Sequence, residues 1–321
     1  MHKTATLSAL AAALAVLPAA ANAQAWPDKQ IFFIVPFAAG GGTDTFARPL
    51  AAQLDKQLNQ RILIENRAGA GGTAGAAAAA KAAPDGYTLM LGHTGSIGIN
   101  PTLYANSGID PRKDFTALGL IATMPLVLLT HPSVKANTIG ELIALAKKAP
   151  GKINLGSSSK GTGSHMCAEM FMAEAQVNMN LIPYKGTGQL VTDLVGGHVQ
   201  VSFGVIPPAY GNIKAGNLRA LAVTSAKRSA LLPDVPTATE SGLKGFEVVL
   251  NYGLLAPAGT PKAIVDKINK AMRVAISNEE VRKRISADGA EAVASTVAEY
   301  AAIVDRDASR WSALIKKLNL K

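Results

Sequence analysis

The stretch Ile31-Phe32-Phe33-Ile34-Val35-Pro36-Phe37-Ala38-Ala39-Gly40-Gly41-Gly42-Thr43-Asp44 constrains the fold of this chain more than any other. Its apolar run predicts a buried strand and its three glycines a turn. Phe46, Leu50, Leu54 and Leu58 then recur every four positions, which predicts a helix with one apolar face. A helix start leaves backbone N–H groups unpaired, and glycines let a ligand approach them, so the turn is a candidate anion site. Two nucleotide motifs use the same physics. A dinucleotide fingerprint beginning at Gly40 and Gly42 requires a third glycine where the chain has Thr45, although Glu65 stands where a ribose-binding acid would. A Walker-type loop requires Gly-Lys followed by Ser or Thr, and no such tripeptide follows a glycine-rich turn. On the motif alone, an anion site and a merely tight strand-to-helix connection both stay open.

His2 and Lys3 precede an apolar segment from about Leu7 to Leu17, and Ala21-Asn22-Ala23 offers the small residues a signal peptidase accepts. Residues 1–23 are therefore expected to be a removed secretory peptide. No later run approaches the roughly 18 to 20 uninterrupted apolar residues that span a bilayer, so a soluble exported protein is expected. Export to a compartment poor in ATP and NAD weakens both nucleotide readings. The 321 residues suffice for two cores. Cys167 is the sole cysteine, which forbids an internal disulfide, and it reads as a small buried helix residue. The formal charge of +10 includes Lys3, leaving +9 after cleavage. The basic residues are scattered and aromatics make up only 5%, poor material for a nucleic-acid stacking platform, so small anions are the better match.

Along the mature chain the strand-turn-helix theme repeats. Arg61 to Glu65 is a second strand candidate, followed by Gly69, Gly71, Gly72 and an alanine-rich helix. Thr88 to Leu91 is a third, running into the polar turn Gly92-His93-Thr94-Gly95-Ser96, at the strand end where open parallel sheets place ligand groups. Thr94 stands where a nucleophile elbow at Ser96 would need glycine. From about Ile121 to Thr130 an apolar segment broken at Met124-Pro125 is expected to carry the chain between two units. In the second unit, Thr138-Ile139-Gly140-Glu141 predicts a capped helix. The strand Ile153 to Gly156 then opens into a second polar glycine turn, Ser157-Ser158-Ser159-Lys160-Gly161-Thr162-Gly163-Ser164-His165, again before a helix. An alternating strand is expected over Val199 to Phe203, another over Leu218 to Val223, and a return crossing over Phe246 to Leu255. Amphipathic helices follow, the last with Tyr300, Val304, Ala308, Trp311, Ile315 and Leu318 on one face.

Several motifs in this order carry a resemblance: Trp26-Pro27, the turn Pro36 to Asp44, Glu65-Asn66-Arg67-Ala68-Gly69-Ala70-Gly71-Gly72, Pro84-Asp85-Gly86-Tyr87, Pro183-Tyr184-Lys185-Gly186, Leu218 to Thr224, and Ala256-Pro257-Ala258-Gly259-Thr260-Pro261. Over essentially the whole mature chain the sequence resembles the Bug family of periplasmic solute receptors, the extracytoplasmic binding components of tripartite tricarboxylate transporters. The resemblance implies an α/β two-domain periplasmic binding protein of the type II, Venus-flytrap kind, with two crossover strands and C-terminal helices. It implies residues 24–125 with 246–321 as one domain and residues 126–245 as the other. Hinge closure without catalysis or cofactor would follow, in a monomer that delivers a small carboxylate to integral membrane transporter subunits and binds no nucleic acid. The ligand contacts implied are Phe37, Ala39, Gly42, Thr43 and Asp44 on one side and Ser158, Gly161, Thr162 and His165 on the other, with Thr94 and Ser96 lining the same cleft.

The chain departs from the family's pattern where Lys160 replaces the asparagine of a Gly-Asn-Gly turn, which adds a cation and favours a second negative charge on the ligand. It departs again at Gly204, where many members carry an aspartate, so an amine-recognising acid is missing. His165 matches the family, yet a histidine opening a helix reads first as a satisfied structural residue. Two other classes compete: an exported serine hydrolase, for which no base, acid and nucleophile fall at interpretable spacing, and a periplasmic sensor using the same cleft. The five histidines form no pair of metal-binding spacing.

Overall fold

The computed structural model describes residues 26–39 and 42–320. The expected leader and the first two glycines of the turn, Gly40 and Gly41, lie outside the described residues. The chain builds two mixed sheets. Strands β1 (Ile31–Val35), β2 (Ile62–Asn66), β3 (Thr88–His93), β4 (Phe115–Pro125), β10 (Val249–Pro257) and β11 (Glu291–Ala292) form the first, in the order β11-β4-β10-β3-β1-β2. Strands β5 (Val127–Thr130), β6 (Asn154–Ser157), β7 (Asn180–Pro183), β8 (Val201–Gly204) and β9 (Arg219–Val223) form the second, ordered β7-β6-β8-β5-β9. β1, β2 and β3 run parallel in the first sheet and β6, β7 and β8 in the second, while β10 and β5, each following a crossing, pair antiparallel. Ten α-helices are described: α1 (Gly42–Leu58), α2 (Thr73–Ala80), α3 (Asn100–Leu103), α4 (Ile139–Lys148), α5 (Gly163–Ala175), α6 (Thr187–Val195), α7 (Ile206–Lys214), α8 (Lys262–Ser277), α9 (Glu279–Ala287) and α10 (Val297–Lys317). None is long and apolar enough to cross a membrane.

Leucine periodicity explains α1. Pro49 removes a rung of its hydrogen-bond ladder, at a cost of about 3 kcal/mol. Leu50, Leu54 and Leu58 are buried and contribute roughly 1.5–3 kcal/mol each, so burial outweighs the break. On α10 the predicted face is buried at Tyr300, Val304, Ala308, Trp311 and Ile315, while Leu318 is only partly covered. Its Tyr300 ring covers Gly253 of β10 so closely that a β-carbon there would overlap it.

The break at Met124-Pro125 is where the chain changes sheets: β4 ends at Pro125 and β5 starts at Val127. β10 runs back antiparallel to β4 from Val249 opposite Pro125, with register shifts after Tyr252 and Leu254. Thr224, at the end of β9, ties both crossings together. Its hydroxyl accepts from Leu126 N–H at 2.8 Å and donates to the Val248 carbonyl at 2.6 Å. A single apolar cluster contains residues of both sheets together with Met166, Cys167 and Phe171 of α5. Cys167 is fully buried in it, and burial raises its thiol pKa well above the ordinary range.

Three expectations differ in detail. β8 does not alternate, because it lies between β6 and β5 with both faces covered, and Ser202 is buried as deeply as its apolar neighbours. At α4, Thr138 caps the N–H of Glu141, but the Glu141 carboxylate accepts from Asn137 N–H, one residue before the cap. The polar segment after Leu91 is not a simple turn: β3 continues to His93 and a wide π-helical turn covers Thr94–Ile99.

Candidate functional site

Two strand-turn-helix junctions and the π-helical turn between them form the candidate site. At the first junction Pro36 to Ala39 leave β1, and Gly42 opens α1. Ala38 and Ala39 are exposed, Thr43 is partly exposed in the first helical turn, and Phe37 is half-buried with its ring edge-on to His93, centroids 5.2 Å apart. Asp44 is 2% exposed. Its carboxylate accepts from Arg48 Nε at 2.8 Å and from Asn66 Nδ2 at 2.9 Å, and the same Asn66 nitrogen reaches the Phe37 carbonyl at 3.1 Å. Asp44 thus serves both its own helix start, where a negative charge is favoured, and the path of the turn. Sequence reasoning quoted Asn66 only as part of a motif and passed over Arg48.

At the second junction the hydroxyls bond to one another and to nearby backbone. Thr162 caps α5 by accepting from His165 N–H at 3.3 Å while donating to the Ser159 carbonyl at 2.7 Å. Ser158 Oγ lies 3.2 Å from Thr162 Oγ1, and Ser164 donates to the Phe203 carbonyl at 2.5 Å. Lys160 is exposed at the tip. Gly161 holds φ +77°, which a side chain would strain. His165 is buried, and Nδ1 has no hydrogen-bond partner, so it is not the satisfied structural residue expected. Its ring pKa is pushed down to about 4, first by burial and then by the charge of Lys160. Nε2 lies 3.8 Å from Glu169, whose carboxyl pKa is itself raised by burial.

Between the junctions, Ser96 donates to the backbone carbonyl of His93 at 3.2 Å and not to its ring. A β-carbon on Gly72 would come within 2.9 Å of Ser96 Cβ and 3.5 Å of the Phe37 ring, which brings the Gly69 to Gly72 loop, Phe37 and Ser96 together. Thr94 turns the other way: Oγ1 accepts from Asn251 N–H on β10, and Asn251 Nδ2 donates to Asp307 of α10 at 2.6 Å. Burial raises the Asp307 carboxyl pKa. His93, partly buried, accepts from Gly95 N–H through Nδ1, and desolvation lowers its pKa to about 4. Asn100, missed in the sequence, is fully buried between the Gly69 to Gly72 loop and the second junction. A β-carbon on Gly161 would overlap its Oδ1, and one on Gly95 would lie 3.3 Å from the Gly161 carbonyl, so the second junction packs directly on the π-helical turn. Gly204 ends β8 opposite Val127, and a β-carbon there would meet Leu129 at an ordinary 3.6 Å.

A broad open groove of about 580 Å³ lies elsewhere, at the opposite ends of β1 and β3, lined by Lys29, Phe32, Asp85 and Tyr87 among others. Its Lys29 sits 4.0 Å from Asp85 and 4.3 Å over the Tyr87 ring, so its cation already has an acid and an aromatic face beside it. The junctions, each at a helix start, are the better candidate for an anion site.

Residues 46–320 match the family described as "Tripartite tricarboxylate transporter family receptor". The periplasmic binding protein BugD is 37% identical, its structure superposing with a TM-score of 0.78 over 92% of this chain and 99% of its own. MatC (Rpa3494) from Rhodopseudomonas palustris, solved with bound malate, is 35% identical with a TM-score of 0.78, covering 90% of this chain and all (100%) of that one. Rpa4515 of R. palustris, solved with adipate, is 33% identical with a TM-score of 0.79, over 91% and 97% of the two chains. The two mixed sheets are those of a two-lobed α/β periplasmic binding protein.

Proposed function

Because the chain belongs to the tripartite tricarboxylate transporter receptor family, among the Bug proteins, we propose that it is an extracytoplasmic receptor that binds a small dicarboxylate between its lobes and delivers it to a membrane transporter. One observation carries this reading: two helix-start turns from different sheets converge on the π-helical turn, so both can serve one anionic ligand. The relatives solved with malate and adipate support the carboxylate class. In this proposal residues 24–125 with 246–321 form one lobe and residues 126–245 the other, residues 1–23 are removed on export to the periplasm, and the receptor works as a monomer without catalysis. One carboxylate lies against Phe37 to Asp44. The second meets the start of α5 near Thr162 with Lys160 beside it. Gly204 leaves an ammonium without an acidic partner, and a desolvated unpaired ammonium is costly.

Calorimetry with matched acids tests this. A dicarboxylate is expected to bind at least about tenfold more tightly than its monoacid and amino-acid analogues, and Lys160→Ala should narrow that gap. Equal preference in both proteins would refute the charge argument, and no binding of any carboxylate would refute the receptor reading. Small-angle scattering at saturating ligand should show compaction about the crossings at Leu126 and Val248, and an unchanged profile would argue against hinge closure.

A further inference from the structure

We infer that Asn100 makes this receptor prefer carboxylates that carry a hydroxyl, an inference that rests on the carboxylate reading above and narrows it. Asn100 is fully buried and its orientation is fixed. Nδ2 donates to the Gly71 carbonyl at 2.9 Å and the Ala70 carbonyl at 3.4 Å, and a flipped amide would turn an oxygen toward two acceptors. Oδ1 therefore faces away from that loop, toward Gly161 of the second turn, and it is buried without a hydrogen-bond partner. The carboxamide stands between the Gly69 to Gly72 loop and the second turn, with an unfilled acceptor on that seam.

The hydroxyls of the second turn do not fill it. Thr162 donates to Ser159, Ser164 donates to Phe203, and Ser158 shares its contact with Thr162. An unpaired buried acceptor disfavours closing the seam over an empty cleft, and whatever donates to it removes that penalty. The chemistry of the donor is restricted. An ionised carboxylate offers acceptors only. An ammonium would sit one residue from Lys160, against a like charge. A neutral hydroxyl on the ligand meets both conditions.

Calorimetry on the mature protein with malate, succinate and aspartate tests the inference, since these acids differ only in hydroxyl, hydrogen or ammonium on one carbon. Malate should bind at least about tenfold more tightly than either. In Asn100→Ala the malate-to-succinate ratio should fall toward one, whereas simple damage to the Gly71 loop would weaken both acids and leave the ratio standing. Equal binding of malate and succinate by the wild type, as a water filling Oδ1 would give, overturns the inference and spares the carboxylate reading. Tighter binding of aspartate overturns it too. A parallel series with adipate and 3-hydroxyadipate covers a longer cleft, and failure of all these acids to bind overturns both readings together. The wild-type ratio decides even where the variant folds poorly.

Discussion

The turn after β1 and the turn after β6 share one grammar of strand, glycine and helix start, and they are built by opposite means. The first is fixed from outside: the buried Asp44 carboxylate grips Arg48 and Asn66, and Asn66 holds the Phe37 carbonyl in place. The second is fixed from within, by the hydroxyls of Ser158, Thr162 and Ser164. Charge-assisted bonds are about twice as strong as neutral ones, so the Asp44 clamp is the stronger of the two sets of bonds.

The largest test uses pH, because each region holds one histidine that its surroundings keep neutral. His93 backs the first turn and His165 opens the helix of the second, both with pKa values near 4. In the unfolded chain histidine titrates near 6.5, so below that pH the unfolded state takes up protons that the native state refuses. Stability should be full above about pH 6.5 and fall progressively toward pH 4, by at most about 3 kcal/mol per histidine. Denaturant melts at stepped pH would show the slope, and His165→Gln should make it shallower by the second turn's share. Parallel profiles in wild type and variant would assign the titration elsewhere.

Next in size is Asp44→Ala, expected to cost about 2–3 kcal/mol in chemical denaturation and to weaken ligand binding as the turn loosens. Asn66 carries more of this than Arg48, whose side chain is 55% exposed and screened by solvent. Smallest is Thr162→Ala, the loss of a neutral helix cap, at about 1 kcal/mol. A larger loss from Thr162→Ala than from Asp44→Ala would reverse the comparison.

What the sequence revealed and what it hid divide along the same line. Local bonds were legible: the hydroxyl-rich turn before α5, the crossing at Met124-Pro125 and the apolar face of α10 all follow from spacing within a few residues. The clamp on the first turn was not, because Asn66 lies 22 positions from Asp44 and only the sheet brings them together. Asn100 was hidden for the same reason, its partners Ala70 and Gly71 sitting in another loop. β8 misled because alternation presumes one wet face, and a central strand has none. One local signal went unread. Thr296 and Glu299 form a complete capping box at α10, a pattern visible as Thr-x-x-Glu.

The place of β10 between β3 and β4 dictates an order of assembly. The second sheet draws all its strands from Val127 to Val223 and can complete its pairing as soon as that segment exists. The first sheet begins the chain and finishes later: until Val249–Pro257 arrives, β3 and β4 each present a largely buried, apolar edge with no strand to fill it. Such edges invite pairing with other chains. Glycine at 253 then leaves the space in which the Tyr300 ring of the last helix covers the joining strand, so the edge-filling strand is itself sealed only when the end of the chain arrives.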